Sequence, residues 1–147
     1  MMRILVLIFL PFSWVSASSS PKLLELQLKT QDVYNAGMDL EGNLSFDICS
    51  GGQCCYMYTT DLPYDQFRRG LIEGFTGRQL EECENFSILN DTVTEMKVTH
   101  SGPDGWLGEY IRLLLDNGTY FQCNINDWMD DGDHVYLECL SGTQSQE

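Results

Sequence analysis

The sequence predicts an all-β protein, an antiparallel sandwich or barrel stapled by disulfides. Three observations lead there. Apolar residues recur at every second position in short runs, turn-forming residues separate the runs, and six cysteines stand in a chain of 147 residues. A hydrophobic fraction of 43% with 12% aromatics is enough to build a core, so a disordered chain is excluded.

Taken in order, residues 1–17 predict a signal peptide. Met1, Met2 and Arg3 make a short positive start, Ile4 to Phe12 is almost unbroken apolar sequence, and Val15-Ser16-Ala17 offers small residues for cleavage. The run is too short for a permanent membrane anchor, and no later run reaches spanning length. Residues 18–147 then form a single domain, without repeats or a linker. The polar C-terminus, Ser141 to Glu147, carries no lipid-anchor signal.

The strands follow. Leu24, Leu26 and Leu28 alternate with Glu25, Gln27 and Lys29, which is the period of a half-buried strand. Leu44, Phe46 and Ile48 repeat it, as do Met96 with Val98, and Ile111, Leu113 and Leu115. Phe121, Cys123 and Ile125, then Val135, Leu137 and Cys139, complete the series. Asn35-Ala36-Gly37, Gly51-Gly52, Gly102-Pro103-Asp104-Gly105, Asp116-Asn117-Gly118 and Asp131-Gly132 are the turns between them. Asp116-Asn117-Gly118 between two apolar runs is a hairpin signal. A helical turn or two fits Tyr64 to Leu71, interrupted by Arg68-Arg69-Gly70. The expected core is Leu24, Leu26, Leu28, Phe46, Ile48, Met96, Val98, Ile111, Leu113, Phe121, Ile125, Val135 and Leu137.

Charge and cysteine usage narrow the function. With 22 acidic and 8 basic side chains the formal net charge is -14, which excludes a nucleic-acid binder and a polybasic membrane-surface protein. Cys49, Cys54, Cys55, Cys83, Cys123 and Cys139 are an even set after a signal peptide and read as up to three disulfides. A metal site fits poorly, because no CxxC pair occurs and the only histidines are His100 and His134. Fifteen connectivities are open; a bond between adjacent Cys54 and Cys55 would be strained, so each should reach a different partner. Sequons at Asn43, Asn85, Asn90 and Asn117 agree with a secreted, extracellular glycoprotein.

A family resemblance adds to this reading. Leu26 to Asp39, LQLKTQDVYNAGMD, resembles the opening of a PLAT (lipoxygenase-homology) domain, with Met38 where the family has Thr. Gln66-Phe67-Arg68-Arg69-Gly70 followed by Phe75 is similar to that family's Phe-Glu-Arg-Gly element, with Arg68 for the Glu. Gly105-Trp106-Leu107, Tyr110-Ile111-Arg112-Leu113, Thr119 to Asn124 and Trp128 follow in the family's order. Cys49, Cys54, Cys55 and Cys83, and the extension from Asp130 to Leu140, depart from the pattern. The resemblance implies a β-sandwich of about eight strands that binds rather than catalyses, joining enzymes to lipid surfaces or protein partners, with loops that often hold calcium. By position it implies that Asp39 is a calcium-contacting carboxylate and that Gly37 contributes backbone.

Calcium takes several oxygen ligands from flexible loops, which directs attention to the acidic turns. Asp127 to Glu138 nearly fits a twelve-residue calcium loop, with Asp127, Asp131, Gly132 and Glu138 in place, but Met129 fails and the flanking runs are strands. The competing reading is a solvated acidic turn. Trp106 and Leu107, on a Gly-flanked loop, suit interfacial contact with lipid or a partner; the competing reading buries Trp106 at the start of a strand and Trp128 more securely still. The negative charge requires any lipid target to be neutral or calcium-bridged. Enzymatic readings lack support: no Gly-X-Ser-X-Gly occurs, His100-Ser101 and Asp133-His134 are merely neighbours, and no phosphate loop is present. Two classes are therefore carried forward. One is a secreted, non-catalytic PLAT-type module binding lipid surfaces or extracellular proteins, calcium-assisted. The other is a disulfide-stabilised protein-interaction, matrix or defence protein that uses neither lipid nor calcium. An acidic small-molecule carrier or hydrolase is a distant third.

Overall fold

A computed structural model describes residues 19–37, 42–59, 67–83, 85–89 and 92–143. The signal-peptide segment, Met38 to Glu41 with Asp39, the Tyr64 to Gln66 part of the expected helical turn, and Asn90 lie outside the described residues. Two antiparallel sheets face each other. Among the described residues ten strands make them: β1 Leu23–Thr30, β2 Asn43–Ser50, β3 Gln53–Tyr58, β4 Ile72–Phe75, β5 Glu95–Ser101, β6 Trp106–Leu115, β7 Thr119–Asn124, β8 Trp128–Met129, β9 His134–Tyr136 and β10 Cys139–Thr143. The larger sheet runs β10-β7-β6-β1-β4, with the short β8 also on β6; the smaller runs β3-β2-β5-β9. A kinked 3-10 segment, Gly77–Cys83, connects β4 towards β5.

The alternation that predicted the strands also fills the space between the sheets. Leu26, Leu28, Phe46, Ile48, Met96, Val98, Ile111 and Leu113 have no exposed surface. Each such side chain contributes roughly 1.5–3 kcal/mol relative to exposure. Val135 and Leu137 are only partly buried, at the margin of the core. Leu24 is a correction. A bulge between Leu23 and Glu25 makes Leu24 the extra, unpaired residue, so Leu23 enters the core and Leu24 faces solvent.

The hairpins at one end are tight. Gly51 and Gly52, at φ 55° and 82°, form the two-residue turn between β2 and β3, a conformation that favours glycine at both positions. Asp116-Asn117-Gly118 joins β6 to β7 as the sequence predicts. Three disulfides brace the sandwich: Cys49–Cys54 across the β2–β3 hairpin, Cys55–Cys83 to the 3-10 segment, and Cys123–Cys139 between β7 and β10. Adjacent Cys54 and Cys55 thus reach different partners, because consecutive strand residues point to opposite faces. Such bonding fits an extracellular or otherwise oxidising environment. Phe67 to Leu71 is turn and coil rather than helix. Among the described residues no helix is long and apolar enough to cross a membrane.

Candidate binding surface at the loop end

Antiparallel pairing decides which loops share an end. β1 finishes where β4 and β6 begin, since Lys29 pairs with both Ile72 and Tyr110. β7 finishes there too, with Asn124 opposite Tyr110. The segments after Thr30, before Ile72, before Trp106 and after Asn124 therefore converge. Backbone bonds knit them: Gln31 N–H donates to Leu107 C=O (3.1 Å), Leu107 N–H to Ala36 C=O (3.0 Å), and Gly70 N–H to Thr30 C=O (3.1 Å). A Cβ on Gly37 would lie 2.7 Å from the Phe67 carbonyl oxygen, so the described role of Gly37 is close backbone packing.

Trp106 anchors this end from inside and is a correction to its reading as a lipid or partner contact. Its indole has no exposed surface, donates from Nε1 to Thr30 Oγ1 at 3.1 Å, and meets Phe67 edge-on with ring centroids 6.4 Å apart. The reason is a second bulge. Extending the alternation backwards from Ile111 would turn Glu109 and Leu107 inward; the register shift opposite Lys29 and Thr30 makes Glu109 the extra residue and sends Gly108 and Trp106 inward instead. Gly108 then lies beneath the Trp106 ring, where a Cβ would collide with it. Leu107 is half-buried, a strut between neighbouring loops rather than a tip.

Trp128 reverses in the opposite sense. It pairs with Leu107 on the outward side, while Met129 opposite Trp106 takes the core position. Its indole is partly exposed and held by a bond from Nε1 to Asp130 Oδ1 (2.9 Å). With it on this end stand Val33, Tyr34, Leu71 and Ile72, the five being between 41% and 83% exposed. Sequence periodicity gave no sign of these residues, because four of them lie in loops or a two-residue strand. Leu24, Tyr56, Tyr58, Tyr136 and Leu140 are exposed elsewhere.

Glu73 is the unforeseen polar element. Both its carboxylate oxygens accept the Phe67 N–H, at 2.7 and 2.8 Å. That bond holds Phe67 in a left-handed conformation, φ 58°, which a bulky residue adopts only when its surroundings enforce it. Burial raises the Glu73 pKa above its usual value, and the Phe67 bond works against that rise.

The acidic turn is occupied with its own backbone. Asp127 Oδ1 accepts from Trp128 N–H, Asp131 Oδ1 from Gly102 N–H, and Asp133 Oδ2 from Asp130 N–H, all at 2.8–2.9 Å. Glu138 lies exposed beyond β9. Among the described residues no group of three or more acidic, histidine or cysteine side chains is placed to hold a metal, and Asp127 and Asp131 are bonded to backbone N–H groups instead. The sequons fall in different places. Asn85 and Asn117 are exposed at the hairpin end, beside the start of β1, whereas Asn43 opens β2 at the loop end.

Comparison with known proteins places the fold. No family model and no curated protein matches the chain. Solved structures do. An alpha toxin from Clostridium absonum matches with a TM-score of 0.62 and 21% identity over 84% of this chain and 33% of that one. An alpha-toxin from an avian strain of Clostridium perfringens gives 0.62 and 19% over 86% and 34%. A lipoxygenase in complex with arachidonate gives 0.59 and 12% over 80% and 16%. The chain thus spans about a third of the toxins and a sixth of the lipoxygenase. The fold is that of a PLAT-like β-sandwich.

Proposed function

We propose that this is a secreted, non-catalytic binding module that docks on a lipid surface with its loop end. The observation that carries the reading is the exposure of Val33, Tyr34, Leu71, Ile72 and Trp128 on loops and strand starts at the end away from Asn85 and Asn117. Exposed aromatic and aliphatic side chains at a loop tip suit the boundary between headgroups and acyl chains. A formal charge of -14 directs the module to zwitterionic lipid, or to anionic lipid through calcium, with Asp39 the ligand that the PLAT resemblance implies. A binding role also suits the histidines: His100 is buried within the small sheet and His134 exposed on its outer side, so they do not share a site. Glycosylation at Asn43, Asn85, Asn90 and Asn117, and cleavage after Ala17, belong to the same secretory reading.

The test is sedimentation with phosphatidylcholine vesicles and with vesicles containing phosphatidylserine, each with and without calcium, of the wild type, Tyr34→Asp/Leu71→Asp and Asp39→Ala. Binding lost in the double variant supports the loop end, and calcium dependence lost with Asp39→Ala supports the metal. No binding to vesicles of either charge sinks the lipid reading and favours an extracellular protein partner.

A further inference from the structure

The outer face of the small sheet carries a pattern that lipid docking does not use. In β2, Leu44, Phe46 and Ile48 point into the core, so Asn43, Ser45 and Asp47 point out. Two rows cross this face by direct pairing: Tyr58–Ser45–Thr99–His134 and Tyr56–Asp47–Lys97–Tyr136. The floor is made of short or polar side chains on the central strands. The rims, on edge strands β3 and β9, are aromatic, and their tyrosines are 47–62% exposed. On a strongly acidic chain these rows are nearly neutral, with Asp47 directly opposite Lys97. Aromatic rings around a floor of hydroxyls and a balanced charge pair suit an uncharged polyhydroxylated ligand: ring faces meet its C–H surfaces, and the floor satisfies its hydroxyls.

Asn43 heads the same outward column, two residues before Ser45, which is itself the third residue of the sequon. We propose that an N-linked glycan on Asn43 folds down over this face, stacking on Tyr58 and Tyr56 and hydrogen-bonding to Ser45. Attachment forms a bond from sugar C1 to the Asn43 side-chain nitrogen and breaks the C1–oxygen bond of a lipid-pyrophosphate-linked oligosaccharide. The pyrophosphate leaves with the electron pair, and the amide gives up a proton. Two residues along a strand cover about 7 Å, so the first sugars reach the Tyr58 row without strain. The tether matters energetically, because a contact too weak to capture free sugar becomes intramolecular at an effective concentration of about millimolar. The face is thereby closed to partners, leaving the loop end for docking.

This inference rests on the secretory route proposed above, and its test separates the two. The protein, secreted from a eukaryotic host, is treated for graded times with an amidase that releases N-glycans, and release at each asparagine is followed by glycopeptide mass spectrometry. Asn117, at an exposed hairpin turn, is the internal reference. The Asn43 glycan is expected to be released about fivefold more slowly than in Tyr58→Ser, the scale of one aromatic contact, while Tyr58→Phe retains the protection. Tyr58 is well exposed, so these variants leave the core intact. Absence of glycan on Asn43 in the secreted protein overturns the inference alone; failure of the host to secrete the chain with cleavage after Ala17 removes the secretory reading and the inference with it. A modified Asn43 with equal release rates in wild type and Tyr58→Ser shows a glycan that does not rest on the face, and also overturns it.

Discussion

At the hairpin end, β2 joins β3 and β6 joins β7 by turns of two and three residues, a disulfide closes the β2–β3 hairpin, and another ties β3 to the 3-10 segment of the long β4-to-β5 connection. At the loop end two of the connections are long, residues 31–42 and 59–71, and backbone bonds between loops with one buried indole do the joining. The hairpin end is fixed by covalent and local terms that need no partner surface. The loop end is fixed by a few long-range contacts, which frees its remaining side chains to face outward. Apolar exposure at that end is thus a consequence of how the loops are held.

The two tryptophans give the sharpest way to break this comparison. Trp106→Ala removes a fully buried ring together with the donor to Thr30 and should cost about 3–5 kcal/mol of stability. Trp128→Ala should cost about 1 kcal/mol or less, since the ring is partly exposed. Urea unfolding measures both. Vesicle binding should order them the other way at a temperature where each variant is folded. Equal stability costs would mean that Trp128 is structural and that the loop end has no free rim.

Disulfide removal probes the opposite end. Cys55–Cys83 closes a loop with a sequence separation of 28, and the chain-entropy relation gives about 3–4 kcal/mol for its loss. Cys49–Cys54, with a separation of 5, should cost only about 2 kcal/mol. Paired Cys→Ser variants in chemical denaturation test the ranking. A reversed order would show that the hairpin staple holds native packing rather than limiting the unfolded chain.

The sequence made most of the frame legible, because alternation in β1, β2, β5, β6 and β7 reflects one solvated and one buried face. It failed where the period slips. One extra residue at Leu24 put that side chain outside rather than in the core, another at Glu109 decided between the two readings of Trp106 in favour of burial, and bulges leave no mark in a hydrophobic pattern. β3 was missed because Cys54-Cys55 interrupts its alternation, although Gly51-Gly52 had announced the turn before it. The PLAT resemblance gave the sandwich. It did not give the loop-end surface, which depends on loop conformations such as the left-handed Phe67 and on its Glu73 partner six residues away.

That partner supplies the smallest expected effect and a pH signature of the loop end. A carboxyl whose folded pKa is raised binds its proton more tightly in the folded state than in the unfolded one. Below the unfolded value, near 4.5, Glu73 is protonated in both states and imposes no penalty. As pH rises through the window between that value and the raised folded one, ionising the half-buried group costs stability, and the cost persists at neutral pH. Glu73→Gln keeps an acceptor for the Phe67 N–H, so its direct cost should stay under about 1 kcal/mol. It should also remove the loss of stability expected as pH rises above about 4.5, with the variant gaining on the wild type as pH rises. Urea midpoints at several pH values measure this against a Cys49→Ser/Cys54→Ser protein, whose pH profile should keep the wild-type slope. A Glu73→Gln variant that instead falls further behind the wild type as pH rises would mean that the charged carboxylate stabilises the Phe67 turn. The loop end would then owe its shape to an ionic hydrogen bond stronger than the desolvation opposing it.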